Sequence, residues 1–429
     1  MKERLAIISG IRTPMGKAGG ALKTVSADDL GAFALREAMY QSGLHFSDVD
    51  EVIMGNVAQP ANAANIGRVC ALKAGFPIST PAYTVHRNCA SGMESITSGA
   101  EKILAERAEI VVAGGTESMS NIPLLYGRKM TQFFDQLSRA RSVFQKLSVL
   151  AQFRLSYLKP VIGVMEGLTD PVCGLIMGLT AENLAKEFGI SRKTQDEFAL
   201  LSHQKAVKAM ESGVFREESI PFPLGNTFDK LHLDDEGPRA NQTLEALQKL
   251  KPYFDRKNGT VTVGNACPLT DGAGAIVMMR ESKAKSLGLS PIGFLREYAY
   301  AGLEPQRMGL GPVYATAKVL QKTGLSMKDI DLVELNEAFA VQVLANIDAF
   351  GSALFAQTYL GQFSAVGELD PGIVNVNGGA IALGHPVGMT GIRLVLTLLK
   401  TLKRRGQHRG LATLCIGGGQ GASLVLEVA

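Results

Sequence analysis

The sequence predicts an α/β protein built from two duplicated βαβ-type halves, and three observations predict it. A stretch at 34–55 (ALREAMYQSGLHFSDVDEVIMG) reads like one at 315–336 (ATAKVLQKTGLSMKDIDLVELN). Shifted by 281 positions, Gly43, Leu44, Asp48, Asp50 and Val52 fall on Gly324, Leu325, Asp329, Asp331 and Val333. After each copy, strand-like and helical runs alternate, as βαβ units require. Between the copies lies a stretch of different character, roughly 121–265, which reads as a long excursion from the first half.

Each copy reads as an amphipathic helix, a glycine stop, a short acidic turn and a buried strand. In the first half, a strand at Tyr83–Arg87 precedes a helix over roughly 90–106 and the strand-like run from Ile110. In the second half, a strand at Ile373–Val376 precedes a Gly-rich turn and a helix over roughly 389–405. Strand-like Leu411–Ile416 and Ser423–Val428 close the chain. A largely parallel sheet is expected in each half, with the active site beyond strand ends. The middle stretch reads as helices at 181–188 and 194–212, with an irregular piece at 221–226. The division that follows is 1–120 completed by roughly 266–290, an inserted loop domain at 121–265, and 291–429.

At 429 residues and 46% hydrophobic content, the chain is long enough for two or three packed units, given roughly 100–200 residues per domain. Five cysteines at 70, 89, 173, 267 and 415 contain no Cys-x-x-Cys pair, which disfavours a zinc knuckle or thioredoxin motif. The first ten residues hold only four consecutive apolar ones, short of the roughly 7–15 of a secretory signal. No run approaches the ~20 apolar residues of a membrane-spanning helix. Free thiols in a reducing, cytoplasmic setting are expected. Residues 121–166 carry seven Lys/Arg against two acidic residues, net +5, leaving 37 basic against 38 acidic elsewhere. The basicity belongs to one segment, so nucleic-acid binding is a poor reading of the whole.

Four segments carry candidate chemistry. Cys89 closes a strand and opens a helix in VHRNCASGM at 85–93. The free N–H groups of a helix start favour thiolate and could hold an oxyanion. Taken alone, the segment reads more readily as a buried structural cysteine. Cys415 ends a strand and precedes Gly417–Gly419, where close packing is as good a reading as function. A dinucleotide loop would need a helix next, and the following run is strand-like. His385 stands between Gly384 and Pro386 in NGGAIALGHPVG at 377–388. Asn336, in LVELNEAFA at 332–340, suits either a helix N-cap or an amide that orients water.

Together these segments resemble the thiolase family. The family pattern of a nucleophile in NCASG, then NEAF, GHP and CxGGG stands here at 88–92, 336–339, 384–386 and 415–419, in order. The resemblance runs from Ile11 to Gly421 and includes GNA at 264–266 and LTDGA at 269–273. It implies the thiolase fold, an αβαβα layered core with an inserted loop domain, and cleavage of 3-ketoacyl-CoA through a cysteinyl acyl-enzyme. The reverse reaction is a Claisen condensation. By similarity, Cys89 is the nucleophile, His385 its base and Cys415 the second acid and base. Asn336 holds a water at the enolate oxygen, and the amides of Cys89 and Gly417 form the other oxyanion hole.

Coenzyme A is implied as co-substrate, with no permanently bound cofactor and no metal. Leu168, Met177, Arg239, Val263, Cys267, Met308, Ala338 and Phe339 match positions that line it in thiolases. The biosynthetic members carry histidine at Ile176 and serines at Ala246 and Cys267, so polar contacts to the cofactor are expected to differ. The 121–166 segment and the extension near Phe350 resemble thiolase (β) subunits of fatty-acid oxidation complexes, although those often carry histidine at Asn336. Phe133, Leu137, Phe144, Leu147 and Ala151 recur there at near-helical spacing, with basic residues between. That segment is expected to cover an acyl chain and to meet a membrane surface or partner subunit; a solvated helix on the parent domain is the alternative. A homodimer or homotetramer is expected. A degradative 3-ketoacyl-CoA thiolase is the first reading and a biosynthetic acetoacetyl-CoA thiolase the second. A ketosynthase-like condensing enzyme normally lacks the second cysteine, and a silent CoA-binding scaffold would not need every motif intact.

Overall fold

The computed structural model describes residues 3–225 and 230–429. Short turns aside, the first half runs β1 (Leu5–Arg12), α1 (Ala27–Ser42), β2 (Glu51–Gly55), α2 (Ile66–Ala74), β3 (Ala82–Val85), α3 (Ser91–Leu104) and β4 (Ile110–Ser118). The excursion contains α4 (Arg128–Arg139), α5 (Val143–Ala151), α6 (Met177–Glu187) and α7 (Arg192–Glu211). β5 (Thr270–Arg280) returns to the first half. The second half runs β6 (Gly293–Gly302), α8 (Gly311–Thr323), β7 (Leu332–Leu335), α9 (Ala340–Gly351), α10 (Thr390–Arg405), β8 (Arg409–Ile416) and β9 (Gln420–Glu427).

The duplication is visible in hydrogen bonds. α1 and α8 both end on a left-handed glycine, Gly43 at φ 72° and Gly324 at φ 70°, a conformation glycine adopts without steric cost. Asp50 accepts from the backbone N–H of Glu109 and Ile110 at 2.7 and 2.9 Å. Asp331 does the same for His408 and Arg409, at 2.9 and 2.8 Å. Each aspartate thus pins the start of the next strand in its own half.

The strands form one path in the order β7-β8-β9-β6-β1-β5-β4-β2-β3. The halves join where β1 meets β6 over only three pairs, Leu5 to Ile7 with Leu295 to Gly293. Both half-sheets pack on the same two helices, α3 and α10, through Ile53, Val111, Leu414 and Leu424. α1 and α2 cover the outer face of one half-sheet, and α8 and α9 that of the other. The result is five layers, αβαβα. α10 is buried from Thr390 to Leu399, largely through Ile392, Leu394, Val395, Leu396, Leu398 and Leu399, as a central helix must be; its last turn, Lys403–Arg405, is exposed.

Four expectations need correction. The sheet is mixed, because only β2–β3, β2–β4 and β7–β8 are parallel. β8 turns straight back into β9 through Gly418 and Gly419, both at positive φ, so that pair is antiparallel. The strand expected at Ile373–Val376 shrinks to a single bridge between Val333 and Val374. Pro371 opens that segment with a helical turn, and Asn375 takes φ 46°, which breaks a ladder. Part of the irregular stretch at 221–226 is instead a short antiparallel pair, Phe222–Leu224 with Lys230–His232; Asn226 lies outside the described residues. The basic segment is two helices, because Ala140 to Ser142 turn extended and Ser142 caps α5 in a capping box with Gln145.

Candidate active site

Cys89 sits between β3 and α3 because the chain turns sharply at Asn88, whose φ is 44°. Asparagine tolerates this left-handed conformation better than most residues. Its amide nitrogen donates to the Gly417 carbonyl at 2.7 Å, tying the first half's loop to the second half's hairpin. The backbone N–H groups of Gly417 and of Cys89 itself reach the sulfur and lower its pKa. Burial is the larger effect and holds the thiol above its ordinary value, with the Glu117 charge adding to it. The helix-start amides favour the thiolate, as the sequence implies, but burial outweighs them.

His385 is fixed from three sides. Gly384 has φ 114°, and a Cβ there would stand 2.5 Å from Thr270 Oγ1, so only glycine lets the loop close. The His385 backbone N–H donates to that same hydroxyl at 3.1 Å. Nδ1 lies 2.6 Å from Thr390 Oγ1, and Thr390 donates its one proton to the Pro386 carbonyl at 3.0 Å. Nδ1 must then be the donor to Thr390, leaving the lone pair on Nε2. Nε2 is buried and has no hydrogen-bond partner among the described residues. Burial, reinforced by Arg393, pushes the imidazole down to about 3, so it rests neutral.

Cys415 lies on β8, buried, one residue before the Gly417–Gly419 turn. Its pKa is raised well above normal by burial and by the charges of Cys89 and Cys267. The turn leads into a strand, which removes the dinucleotide-loop reading. Asn336 follows β7, its N–H bound to the Thr413 carbonyl at 3.0 Å, two residues before Cys415. It is not the cap of α9, which is Phe339. Both polar atoms of the Asn336 side chain are buried without a partner among the described residues. An unpaired buried amide is costly.

The residues expected to line coenzyme A fall into two sets. Cys267 donates its N–H to the Ala338 carbonyl at 3.0 Å, and Ala266 bridges to Phe339. Met177 takes its N–H to the Leu168 carbonyl at 2.9 Å. The Met177 sulfur stands 3.3 Å from where a Cβ on Gly417 would be. Met308, Ala338, Phe339 and Cys415 share one core cluster, with Met177 packed on it. Val263 and Arg239 line a cavity of about 280 Å³ that Ala266 and Pro268, on either side of Cys267, also line. Cys267 brings a third thiol near Cys89, with a pKa pushed up to about 12 by burial and then by Cys89. Among the described residues no cluster of His, Cys, Asp and Glu could hold a metal ion.

Sequence reasoning missed Asn88, Thr390 and Glu117. Thr390 was legible as a hydroxyl five residues past His385, at the start of a helix. Asn88 carries only the weak signal of an asparagine before a tight turn, and Glu117 none beyond its place after Gly114 and Gly115.

Two family models cover nearly all of the chain: "Thiolase, N-terminal domain" over residues 5–282 and "Thiolase, C-terminal domain" over 289–428. The chain belongs to the thiolase family. A 3-ketoacyl-CoA thiolase of Yersinia enterocolitica is 40% identical over 427 residues, 99% of this chain and 97% of that one. Among solved thiolase structures, the Bacillus anthracis acetyl-CoA acetyltransferase superposes with TM-score 0.86 at 40% identity, covering 100% and 99% of the two chains. Human mitochondrial 3-ketoacyl-CoA thiolase in complex with CoA gives 0.85 at 37% identity, covering 100% and 98%. Within this thiolase, no described helix is long and apolar enough to cross a membrane.

Proposed function

We propose that the protein cleaves 3-ketoacyl-CoA with a second coenzyme A, giving acetyl-CoA and an acyl-CoA shortened by two carbons. The observation that supports the reading is that the Asn88 amide ties the Cys89 turn to Gly417, two residues from Cys415, while the His385 loop packs through Gly388 and Gly391 on the start of the Cys89 helix. His385 takes the Cys89 proton as the sulfur attacks the keto carbon, so charge appears only when substrate is present. The adjacent carbon–carbon bond breaks and leaves the acyl group on Cys89. Cys415 protonates the departing enolate, then takes the proton of the incoming coenzyme A thiol; that sulfur attacks the acyl carbon and releases Cys89, which recovers its proton from His385. The N–H groups of Cys89 and Gly417 receive the tetrahedral oxygen. The protonated Nε2 and a water on Asn336 receive the enolate oxygen.

Leu168, Met177, Cys267, Met308, Ala338 and Phe339 would line the pantetheine arm, with Arg239 and Val263 farther out. The acyl specificity we favour is that of a degradative 3-ketoacyl-CoA thiolase, supported by the Yersinia relative's name; the likeness to an acetyl-CoA acetyltransferase keeps the acetoacetyl-CoA reading second. Residues 121–166 support an outward contact. Val143, Phe144, Leu147 and Leu155 are 57–85% exposed among Arg139, Arg141, Lys146 and Arg154. We assign that surface to a partner subunit or an anionic membrane; failure to float with anionic vesicles at low salt would remove the membrane. A homodimer or homotetramer in the cytoplasm fits a chain whose five cysteines are all unpaired.

The deciding assay offers four-carbon and sixteen-carbon 3-ketoacyl-CoA with coenzyme A and follows acetyl-CoA release. Faster turnover of the long substrate is expected. Turnover of the four-carbon substrate alone would move the protein to the acetoacetyl-CoA class, and no turnover of either would leave a silent binder.

A further inference from the structure

Glu117 ends β4 with a side chain that solvent does not reach. Its carboxylate accepts four hydrogen bonds from two separate segments. Val57 and Ala58 donate backbone N–H groups, each at 3.0 Å, and the Asn56 amide donates at 3.2 Å. The fourth comes from the Gly388 N–H at 3.0 Å, three residues past His385. Every donor is an N–H, and no acceptor faces the carboxyl among the described residues, so the arrangement suits the ionised form. Burial opposes ionisation and pushes the group up to about 7; above that pH it is a carboxylate.

The surroundings leave the loop little freedom except through this anchor. A Cβ on Gly388 would meet the Thr116 carbonyl at 2.6 Å and Glu117 Oε2 at 2.8 Å. A Cβ on Gly115 would meet the Gly388 carbonyl at 2.2 Å, and one on Gly92, at the start of the Cys89 helix, would meet that carbonyl at 3.0 Å. The histidine loop is therefore seated between the end of β4 and the first turn of α3. Glu117 supplies its only charged attachment there among the described residues.

We propose that Glu117 is a positioning residue for acyl transfer, its carboxylate clamping Gly388 so that the His385 loop keeps register with the Cys89 turn. The proposal rests on the roles of Cys89 and His385 given above.

The test is Glu117→Gln, which keeps the shape but replaces two acceptors with an amide that cannot take all four N–H groups. At pH 8 we expect kcat to fall about 100-fold, the scale of a catalytic group displaced by about 1 Å, with KM for coenzyme A unchanged. A folded variant with wild-type kcat overturns the proposal. So does one in which kcat and KM worsen together with the melting temperature, since that is general disruption. If Glu117→Gln does not fold, Asn56→Ser removes one of the four donors and should show a smaller form of the same split; wild-type kcat there overturns the proposal equally. Acyl transfer by the unmodified protein is measured first, so its absence would count against the reading of the site and not against Glu117.

Discussion

The first half presents a cysteine and the second a histidine from the same place in the fold. Each stands in a loop that leads into a central helix, Cys89 before α3 and His385 before α10. What differs is the way each loop is held. The cysteine loop is held by Asn88, which reaches across to Gly417, and by the Ser91 hydroxyl, which accepts from the Arg87 N–H and donates to the Asn88 carbonyl. The histidine loop is gripped by Thr270, Thr390 and Glu117. A nucleophile must be approachable, whereas a base must present one nitrogen at one angle. Two equivalent loops are thus held by different side chains, as the proposed roles of nucleophile for Cys89 and base for His385 require.

The comparison can be broken in order of effect. Cys89→Ala should abolish thiolysis and leave only background, because Cys267 and Cys415 rest as high-pKa thiols; turnover at the normal rate would refute the assignment of the first half. His385→Ala should lower kcat by about 10²–10⁴, the range for a general base, with the protein still folded. Asn336→Ala removes an oxyanion partner and should cost about 2.7–4 kcal/mol of barrier, seen in carbon–carbon cleavage and not in coenzyme A binding. Gly391→Ala tests the seam between the halves. Its Cβ would stand 2.3 Å from the Met93 backbone nitrogen, and such overpacking costs about 1–3 kcal/mol, read as a lower melting temperature.

A pH profile sharpens the same contrast. The Cys89 thiol is held above its usual value and His385 far below its own. A raised thiol pKa means that thiolate appears later as pH rises. Alkylation of the free enzyme by iodoacetamide should therefore keep climbing past about pH 8.5, where an ordinary cysteine is half ionised. A plateau already reached at neutral pH would mean a preformed thiolate–imidazolium pair.

Much of this was legible in the sequence. The repeat placed two equivalent helices and strands, and the expected helix at 194–212 is found at Arg192–Glu211. Of the four motif residues, Cys89, Asn336 and Cys415 stand at strand ends, whereas His385 stands in a loop after a helical turn. Other features depend on partners distant in sequence. The Ile373–Val376 strand failed because a left-handed Asn375 cannot be read from apolar alternation. The helix-start amides at Cys89 are visible in sequence, whereas the burial that raises its thiol pKa is not. Glu117 was invisible for a related reason: its four donors come from 56–58 and 388, and only the folded chain assembles them.

Incubation with acetyl-CoA alone, followed by acid quench and peptide mapping, asks which sulfur carries the acyl group. The account predicts one acetyl group, on the peptide containing Cys89. An acetyl group on the Cys267 or Cys415 peptide instead, or none on Cys89 in a preparation that still turns over 3-ketoacyl-CoA, would contradict it.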